Sequence, residues 1–238
     1  MSAPTIDQLV NLRDVGGLPL TTGGHTVSGV LYRSDAPHVG DSDPVHVGAW
    51  PPATVVDLRS VKERQRTGFD WDSGTVVHPL PLNDAAAPGD VLAPDLRALY
   101  LTTLETKADR AAQILAIVAH GDGPVLVHCT AGKDRTGLVV AALLLVAGVE
   151  PWAVRDDYLA TTANMALLRD RWKAKGPKSA PTITLPRSWL TTSPEAIDDV
   201  IGHLTGWPGG VDGWFADAGA AETDVHHWRR RLTLSDTP

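Results

Sequence analysis

The chain contains a single cysteine, Cys129, and Arg135 follows it after five intervening residues. A cysteine side chain attacks as the thiolate, which is a strong nucleophile. The planar guanidinium of arginine can hold two phosphate oxygens at once, which the point charge of lysine cannot do. A nucleophile beside a bidentate anion-binding group predicts the transfer of a phosphoryl group to sulfur.

Two apolar runs flank this pair and must position it. Residues 125–127 predict a buried strand, and residues 138–149 predict a buried helix. Between them lies a tight loop that contains Gly132. A loop whose N–H groups point inward at a helix N-terminus is an anion cradle, and it stabilises a thiolate near neutral pH. Thr136 at the far edge could donate its hydroxyl to the sulfur when the thiolate leaves.

Two other interpretations of the loop are weaker. Gly132 and Lys133 suggest a nucleotide-binding P-loop, but Asp134 stands where serine or threonine is required, and no glycine lies five residues before Gly132. A lone cysteine is often a small buried core residue. Here the glycine, the arginine, the following Thr-Gly pair and both flanking elements favour the catalytic interpretation.

The segment 128–137 reads His-Cys-Thr-Ala-Gly-Lys-Asp-Arg-Thr-Gly. It resembles the signature of the Cys-based protein tyrosine phosphatase superfamily, most of all the bacterial atypical tyrosine phosphatases related to mycobacterial protein tyrosine phosphatase B. Segments 11–17, 31–34 and 55–60 match the same family, and with the C-terminal region the resemblance covers nearly the whole chain. It implies a tyrosine-phosphatase-like fold and activity on phosphotyrosine, with dual specificity or phosphoinositide activity in some members.

The expected site residues fall into three groups. The loop itself should bind phosphate through Thr130, Ala131, Gly132, Lys133, Asp134 and Arg135. The resemblance implies that Asn11, Arg13 and Asp14 brace the floor of the site. His128, Asp57 and Arg59 are further supporting residues, the last two at the end of a predicted buried strand, where open α/β sheets place their sites. Glu63 and Arg66 follow in a charged turn, which we expect to be solvated and held by a local ion pair.

Hydrolysis of a phosphate ester needs an acid that protonates the leaving oxygen and later a base that activates water. In the superfamily this is usually an aspartate on a loop after a strand, and Asp84 fits that position best. Asp90 lies on the same loop. Asp134 is a different kind of candidate, because it lies within the phosphate loop itself. The charge argument counts against it, since a carboxylate near a phosphate dianion is repelled unless it is protonated or turned away.

The composition excludes some classes of function. The 238 residues are 43% hydrophobic and 21% charged, which is typical of one large globular domain. The net charge of −7 argues against non-specific nucleic-acid binding, so a local field must attract an anionic substrate. One cysteine permits neither an internal disulfide nor a resolving partner for oxidised Cys129, which is consistent with a reducing compartment.

The sequence gives no sign of export, membrane insertion or metal binding. The N-terminal segment lacks the basic and apolar parts of a signal peptide, and no apolar run approaches a membrane span in length. We therefore expect a cytoplasmic protein without a transmembrane segment. His226 and His227 are adjacent rather than one helical turn apart, so they form a poor metal pair. We expect neither a metal nor another cofactor.

The pattern along the chain predicts a single α/β phosphatase domain over residues 1–238, with a mostly parallel central sheet flanked by helices. Its phosphate-binding loop spans 128–136, and a helical lid is a possibility over 153–192. The expected elements are a hairpin in 5–34, a short helix near 45–50, strands at 54–58 and 75–80, two helices in 94–120 that meet near Thr106, a helix that opens at Pro151, and closing helices after the N-cap Ser193.

Three alternatives remain open at this point. The same loop could serve a phosphoinositide phosphatase, for which a basic rim is expected from Arg169, Arg171, Lys173 and Lys175. It could also belong to a module that binds phosphorylated partners without turnover, although such modules usually lose the cysteine. A sulfur-transfer enzyme of the rhodanese type ranks last, because its loop seldom ends in Arg-Thr-Gly.

Overall fold

The structure is a computed structural model that describes residues 5–82, 93–176 and 191–233. Within these ranges the strands are β1 (Arg13–Asp14), β2 (Leu31–Ser34), β3 (Thr54–Asp57), β4 (Val76–Pro79) and β5 (Val125–His128). They form one sheet in the order β1-β2-β5-β3-β4. β1 is antiparallel to β2, and the other pairings are parallel. The predicted α/β fold with a mostly parallel sheet is confirmed.

The central strand β5 lies between β2 and β3. Its last residue, His128, is level with Ser34 of β2 and with Asp57 of β3. All residues of these three strands are buried, as expected for a parallel sheet that is covered on both faces. Three neighbouring strands therefore end together at one edge of the sheet, and Cys129 is the first residue beyond β5 at this edge.

Helices surround this sheet in the described parts of the chain. They are α1 (Val61–Thr67), α2 (Leu96–Thr106), α3 (Ala108–His120), α4 (Asp134–Val146), α5 (Pro151–Lys175), α6 (Pro194–Thr205), α7 (Gly210–Asp217) and α8 (Glu222–Thr233). None of them combines the length and the apolar character that crossing a lipid bilayer requires.

The helix that follows the cysteine loop lies in the core. Every residue of α4 from Thr136 to Val146 is buried. Trp228 of α8 is fully buried as well, and its Nε1 donates a hydrogen bond to the carbonyl oxygen of Leu143 at 2.8 Å. Because other elements enclose α4, its first turn has a fixed position relative to the sheet. The end of the cysteine loop is fixed with it.

Several predicted elements are confirmed. The helices expected in residues 94–120 are α2 and α3, which meet at Lys107. Ser193 is the N-cap of α6, and its Oγ accepts a hydrogen bond from the N–H of Ala196 at 3.2 Å. The short helix expected near residues 45–50 is wrong, because these residues form bends. Pro44 and Pro51 bracket the segment and leave too little chain for a stable helix.

The segment considered as a lid is only partly described. Its first part belongs to the continuous helix α5, which buries Val154, Tyr158, Met165 and Leu168. Residues 177–190 lie outside the described ranges. A lid over 153–192 therefore remains a prediction, and its helical part is packed against the body of the protein rather than standing free.

Candidate active site

Cys129 is a free cysteine with 2% of its surface exposed, and it opens the loop that joins β5 to α4. Gly132 in this loop has a φ of 69°, which favours glycine. A Cβ atom at this position would lie 2.5 Å from the carbonyl carbon and oxygen of Ser34. The loop backbone therefore packs directly on the end of β2, and a larger residue would displace it.

Arg135 lies in the first turn of α4, where an ion pair holds its side chain. Its Nη1 and Nη2 donate to the two carboxylate oxygens of Glu63 at 2.8 and 2.6 Å. Nη1 also donates to the carbonyl oxygen of Leu58 at 3.2 Å. Nε has no hydrogen-bond partner among the described residues, so the Nε edge of the guanidinium remains available to an anion.

The Arg135–Glu63 pair also fixes both charges. Burial disfavours the charged guanidinium, but the hydrogen bonds to Glu63 and the negative charges of Cys129 and Glu63 outweigh burial and raise the pKa of Arg135. Burial likewise opposes ionisation of Glu63, and the hydrogen bonds and charge of Arg135 overcome it and lower the pKa of Glu63 to about 2. Near neutral pH the pair is fully ionised.

The prediction that Glu63 belongs to a solvated turn is wrong. Its side chain is only 16% exposed, and its Oε1 also accepts a hydrogen bond from Thr130 Oγ1 at 2.7 Å. Glu63 is the N3 residue of a capping box at the start of α1, in which Ser60 N donates to Glu63 Oε2 at 2.9 Å. The Ser-x-x-Glu spacing was a signal for this helix start, but it gave no indication of the contact with Arg135.

Asn11 contacts the loop, as the bracing role requires. Its Nδ2 donates to the carbonyl oxygen of Ala131 at 2.6 Å, and its backbone N–H donates to Asp35 Oδ1 at 2.8 Å. Asn164 of α5 donates to Asn11 Oδ1 at 2.9 Å. Asp14 is placed differently, since it accepts hydrogen bonds from the N–H groups of two hairpin glycines and does not contact the loop.

Arg13 reaches the loop through an intermediate that the sequence analysis missed. Asp157 of α5 pairs with Arg13 Nε at 2.7 Å and with Arg33 Nη1. Arg33 in turn donates from Nη2 to the carbonyl oxygen of Gly132 at 3.0 Å. Burial would raise the pKa of Asp157, but the two arginines outweigh it and lower that pKa. Asp157 therefore stays ionised and links α5 to the loop.

Asp57, Arg59 and His128 form a buried group behind Cys129. Asp57 Oδ1 accepts from Arg59 Nε at 2.9 Å, and Oδ2 accepts from Nη2 at 2.8 Å. His128 Nε2 lies 3.8 Å from Asp57 Oδ2, and Nδ1 lies 3.3 Å from the carbonyl oxygen of Cys129. Burial lowers the pKa of His128 to about 4, so its ring is neutral at neutral pH.

The remaining loop side chains lie at the start of α4. Thr136 Oγ1 is buried and has no hydrogen-bond partner among the described residues. Lys133 is 1% exposed; its Nζ donates to the carbonyl oxygen of Thr191 at 2.9 Å and lies 3.3 Å from Asp134 Oδ1. Tyr100 Oη donates to the same Oδ1 at 2.5 Å. The Lys133 ammonium is therefore buried beside Asp134, and its expected phosphate-binding role stays a prediction.

The other two candidates for the acid, Asp84 and Asp90, lie outside the described residues. Asp134 is the candidate with a known position. Across the described parts of the chain, no group of three or more His, Cys, Asp or Glu side chains is arranged to hold a metal ion.

The basic rim expected on α5 is wrong for Arg171 and Lys175, two of its four members. Arg171 is buried and pairs with Asp35 at 3.2 Å and with Asp41 at 2.6 Å. Lys175 pairs with Asp41 at 3.0 Å, and Lys173 pairs with the neighbouring Asp170 at 2.9 Å. Carboxylates therefore neutralise much of this positive charge. The sequence pattern could not show this, because Asp35 and Asp41 lie far from α5 along the chain.

Comparison with known proteins identifies the family. A model of the tyrosine phosphatase family matches residues 4–234, nearly the whole chain. The chain therefore belongs to the tyrosine phosphatase family, and it is an enzyme of the protein-tyrosine-phosphatase class.

Two named relatives agree with this assignment. A Cupriavidus necator protein named as a tyrosine-protein phosphatase is 31% identical over 242 residues, covering 94% of this chain and 85% of that protein. The triple specificity protein phosphatase PtpB of Mycobacterium tuberculosis is 29% identical over 220 residues, covering 74% of this chain and 80% of PtpB. Among solved structures, TpbA of P. aeruginosa matches with a TM-score of 0.40 and 21% identity, over 88% of this chain and 91% of that chain.

Proposed function

We propose that this phosphatase hydrolyses phosphotyrosine in proteins through a cysteinyl-phosphate formed on Cys129. The observation that carries the proposal is the clamp on Arg135. Glu63 holds the guanidinium end-on, at 2.8 and 2.6 Å, in the loop that begins at Cys129. This leaves the Nε edge to bind phosphate oxygens beside the sulfur.

The first step transfers the phosphoryl group. The Cys129 thiolate attacks phosphorus in line, an S–P bond forms, and the bond from phosphorus to the phenolic oxygen breaks. Arg135 and the N–H groups of the loop hold the equatorial oxygens, where negative charge is concentrated. An acid donates its proton to the leaving phenolate oxygen, so that tyrosine departs as a neutral phenol.

The second step restores the enzyme. Water attacks the phosphorus of the cysteinyl-phosphate, the carboxylate formed in the first step takes a proton from it, and the S–P bond breaks. The thiolate is the leaving group, and the buried hydroxyl of Thr136, which lacks a partner among the described residues, would donate to the sulfur. Inorganic phosphate is the product.

For the acid we propose Asp134, among the three candidates. It belongs to the same loop as the nucleophile, and its side chain is 31% exposed. A bound phosphate dianion repels a nearby carboxylate, and uptake of a proton removes this repulsion. An acid at this position must carry its proton when substrate is bound, which is when the leaving group needs it. Asp84 remains the alternative suggested by position along the chain.

Protein phosphotyrosine is favoured over an inositol lipid as the substrate. A phosphoinositide headgroup carries several phosphates and needs a basic rim around the central cradle. Two of the four residues expected to form this rim on α5 are taken up by carboxylates, since Arg171 is buried in ion pairs and Lys175 pairs with Asp41. PtpB of M. tuberculosis carries the name of a triple specificity protein phosphatase, so activity on phosphoserine and phosphothreonine is worth measuring alongside.

The test compares wild type with Cys129→Ser on a phosphotyrosyl peptide and on phosphoinositide vesicles, with a metal chelator present. We expect wild type to release phosphate faster from the peptide than from the lipid. Cys129→Ser should show no turnover and should still bind the peptide, because a serine hydroxyl is not ionised near neutral pH. Equal activity of the variant would show that the nucleophile is another residue. Peptide binding by wild type without turnover would favour a binding module.

A further inference from the structure

Two buried tyrosines from different helices meet at the proposed acid. Tyr100 of α2 and Tyr158 of α5 are 0% and 1% exposed, and their hydroxyl oxygens are 2.9 Å apart. Their rings are nearly perpendicular, with centroids 6.3 Å apart. Tyr100 Oη also donates to Asp134 Oδ1 at 2.5 Å. The hydrogen bond to Tyr100 therefore links the Asp134 carboxylate to α2, and the contact between the two tyrosines extends this link to α5.

The hydrogen bonds in this chain run in one direction. An ionised carboxylate can only accept hydrogen bonds, so Tyr100 must be the donor in its hydrogen bond with Asp134. The oxygen of Tyr100 then accepts from Tyr158, and the oxygen of Tyr158 accepts from the backbone N–H of Ser193 at 3.3 Å. Each hydroxyl donates once and accepts once, and the donors all point towards Asp134.

We propose, on the basis of the function proposed above, that Tyr100 and Tyr158 are positioning residues that hold Asp134 in the orientation for proton transfer. Oδ1 of Asp134 already receives the Tyr100 hydroxyl and has the Lys133 ammonium at 3.3 Å. Oδ2 has no partner in the described parts of the chain. Because these contacts fix Oδ1, Oδ2 is the atom that donates the proton to the leaving phenolate oxygen. In the second step Oδ2 receives a proton from water.

The packing around Tyr158 shows that this arrangement is built into the start of α4. A Cβ atom on Gly137 would lie 2.8 Å from Cδ2 of Tyr158. The absence of a side chain at Gly137 therefore lets the Tyr158 ring lie against the helix that carries Asp134. Burial and the charge of Asp134 keep Tyr100 protonated, since they raise its pKa well above 10. Tyr100 remains a donor throughout the pH range in which the enzyme would be assayed.

The alternative is that these tyrosines only fill the core, and phenylalanine variants separate the two roles. Tyr100→Phe keeps the ring and removes the donor. We would measure kcat/KM, which reports the first phosphoryl transfer and not the second step that both substrates share, for an aryl phosphate with a poor leaving group, phenyl phosphate, and for one with a good leaving group, dinitrophenyl phosphate. Loss of acid assistance slows the first far more than the second, because only the poor leaving group needs the proton.

We expect Tyr100→Phe to lower kcat/KM for phenyl phosphate by about tenfold, the effect of one hydrogen bond to a charged group, with little change in kcat/KM for dinitrophenyl phosphate. Tyr158→Phe should act in the same direction but less strongly. Asp134→Asn should lower kcat/KM for phenyl phosphate by about a hundredfold or more. The double variant Tyr100→Phe/Asp134→Asn should be no slower than Asp134→Asn alone, because the tyrosine acts through the aspartate.

A matched control is Tyr32→Phe, which removes another buried tyrosine hydroxyl, one that accepts a hydrogen bond from Ala49 N at 3.3 Å. Any change that Tyr32→Phe causes in kcat/KM should be the same for phenyl phosphate and dinitrophenyl phosphate. An equal loss on both substrates in Tyr100→Phe would contradict positioning and indicate a purely structural role. If Asp134→Asn instead responds equally to both leaving groups, the assignment of the acid fails, and the positioning role fails with it. Leaving-group sensitivity in Asp134→Asn without any in Tyr100→Phe overturns only the positioning role.

Discussion

At the scale of single residues, Glu63 decides how Arg135 can work. The guanidinium has five N–H donors, and an arginine that was free to turn could present any of its edges to a phosphate. The two contacts at 2.8 and 2.6 Å fix the plane of the group and direct its Nε edge away from Glu63. The acidic side chain therefore supports anion binding by orienting the cation, although its own charge is negative.

Glu63→Gln tests this orientation. The amide keeps the size of the side chain but can accept only one of the two hydrogen bonds and loses the charge. We expect kcat/KM for a phosphotyrosyl peptide to fall by about tenfold to a hundredfold, which is what displacement of a positioning group by an ångström can cost. Glu105→Gln, an exposed change on α2, is the control and should leave kcat/KM unchanged. Wild-type kinetics in Glu63→Gln would contradict the clamp.

Residues of the site differ in how well the sequence reveals them. Cys129 and Arg135 are found by the spacing within one short segment, since the loop that joins them also sets their geometry. Glu63 and Asp157 are not found this way, because their partners lie 72 and 144 positions away along the chain. A pattern along the chain gives no information on such contacts unless the packing of whole elements is known.

Among the helices, α5 holds the phosphate-binding loop in place through two polar contacts. Through Asp157 it holds Arg33, which donates to Gly132. Through Asn164 it holds Asn11, which donates to Ala131. The sequence predicted a helix that opens at Pro151 but not the face that this helix buries. Some of the buried residues of α5 are charged and form ion pairs with other parts of the chain, so the pattern of apolar residues does not mark the buried face.

Asp157→Asn should therefore destabilise the fold. Removal of the charge leaves Arg33, whose side chain is 1% exposed, without its ion-pair partner. An unpaired buried charge costs about 3–5 kcal/mol, so we expect a loss of that size in the free energy of unfolding, measured by urea denaturation. Asp156→Asn changes the exposed neighbour in the same way and should have little effect. Similar stability of the two variants would show that α5 does not depend on this ion pair.

At the scale of the whole molecule, buried ionisable groups make stability depend on pH. Burial lowers the pKa of His128 and of His38 from 6.5 to about 4. Between these values the unfolded chain binds more protons than the folded one, so stability falls as the pH falls through this window. Asp35 acts in the opposite sense, because burial raises its pKa from 3.8 to about 6 and the folded state then binds the extra proton.

His128→Asn isolates one of these contributions. The free energy of unfolding of wild type, relative to this variant, should decrease as the pH is lowered from about 7 to about 4, by up to about 1.4 kcal/mol for each pH unit. His25→Asn, at an exposed position, provides the comparison in urea titrations at several pH values. A difference between wild type and His128→Asn that does not change with pH would mean that His128 is not buried in its neutral form.

If phosphate passes through Cys129 during turnover, a phosphorylated form of the protein must exist. Wild type is mixed with a phosphotyrosyl peptide, quenched within a single turnover, digested and examined by mass spectrometry. We expect phosphate on the peptide that contains Cys129, and none on any peptide of Cys129→Ser. Phosphate on another side chain, or rapid phosphate release by wild type without any phosphorylated Cys129, would contradict the passage of phosphate through Cys129.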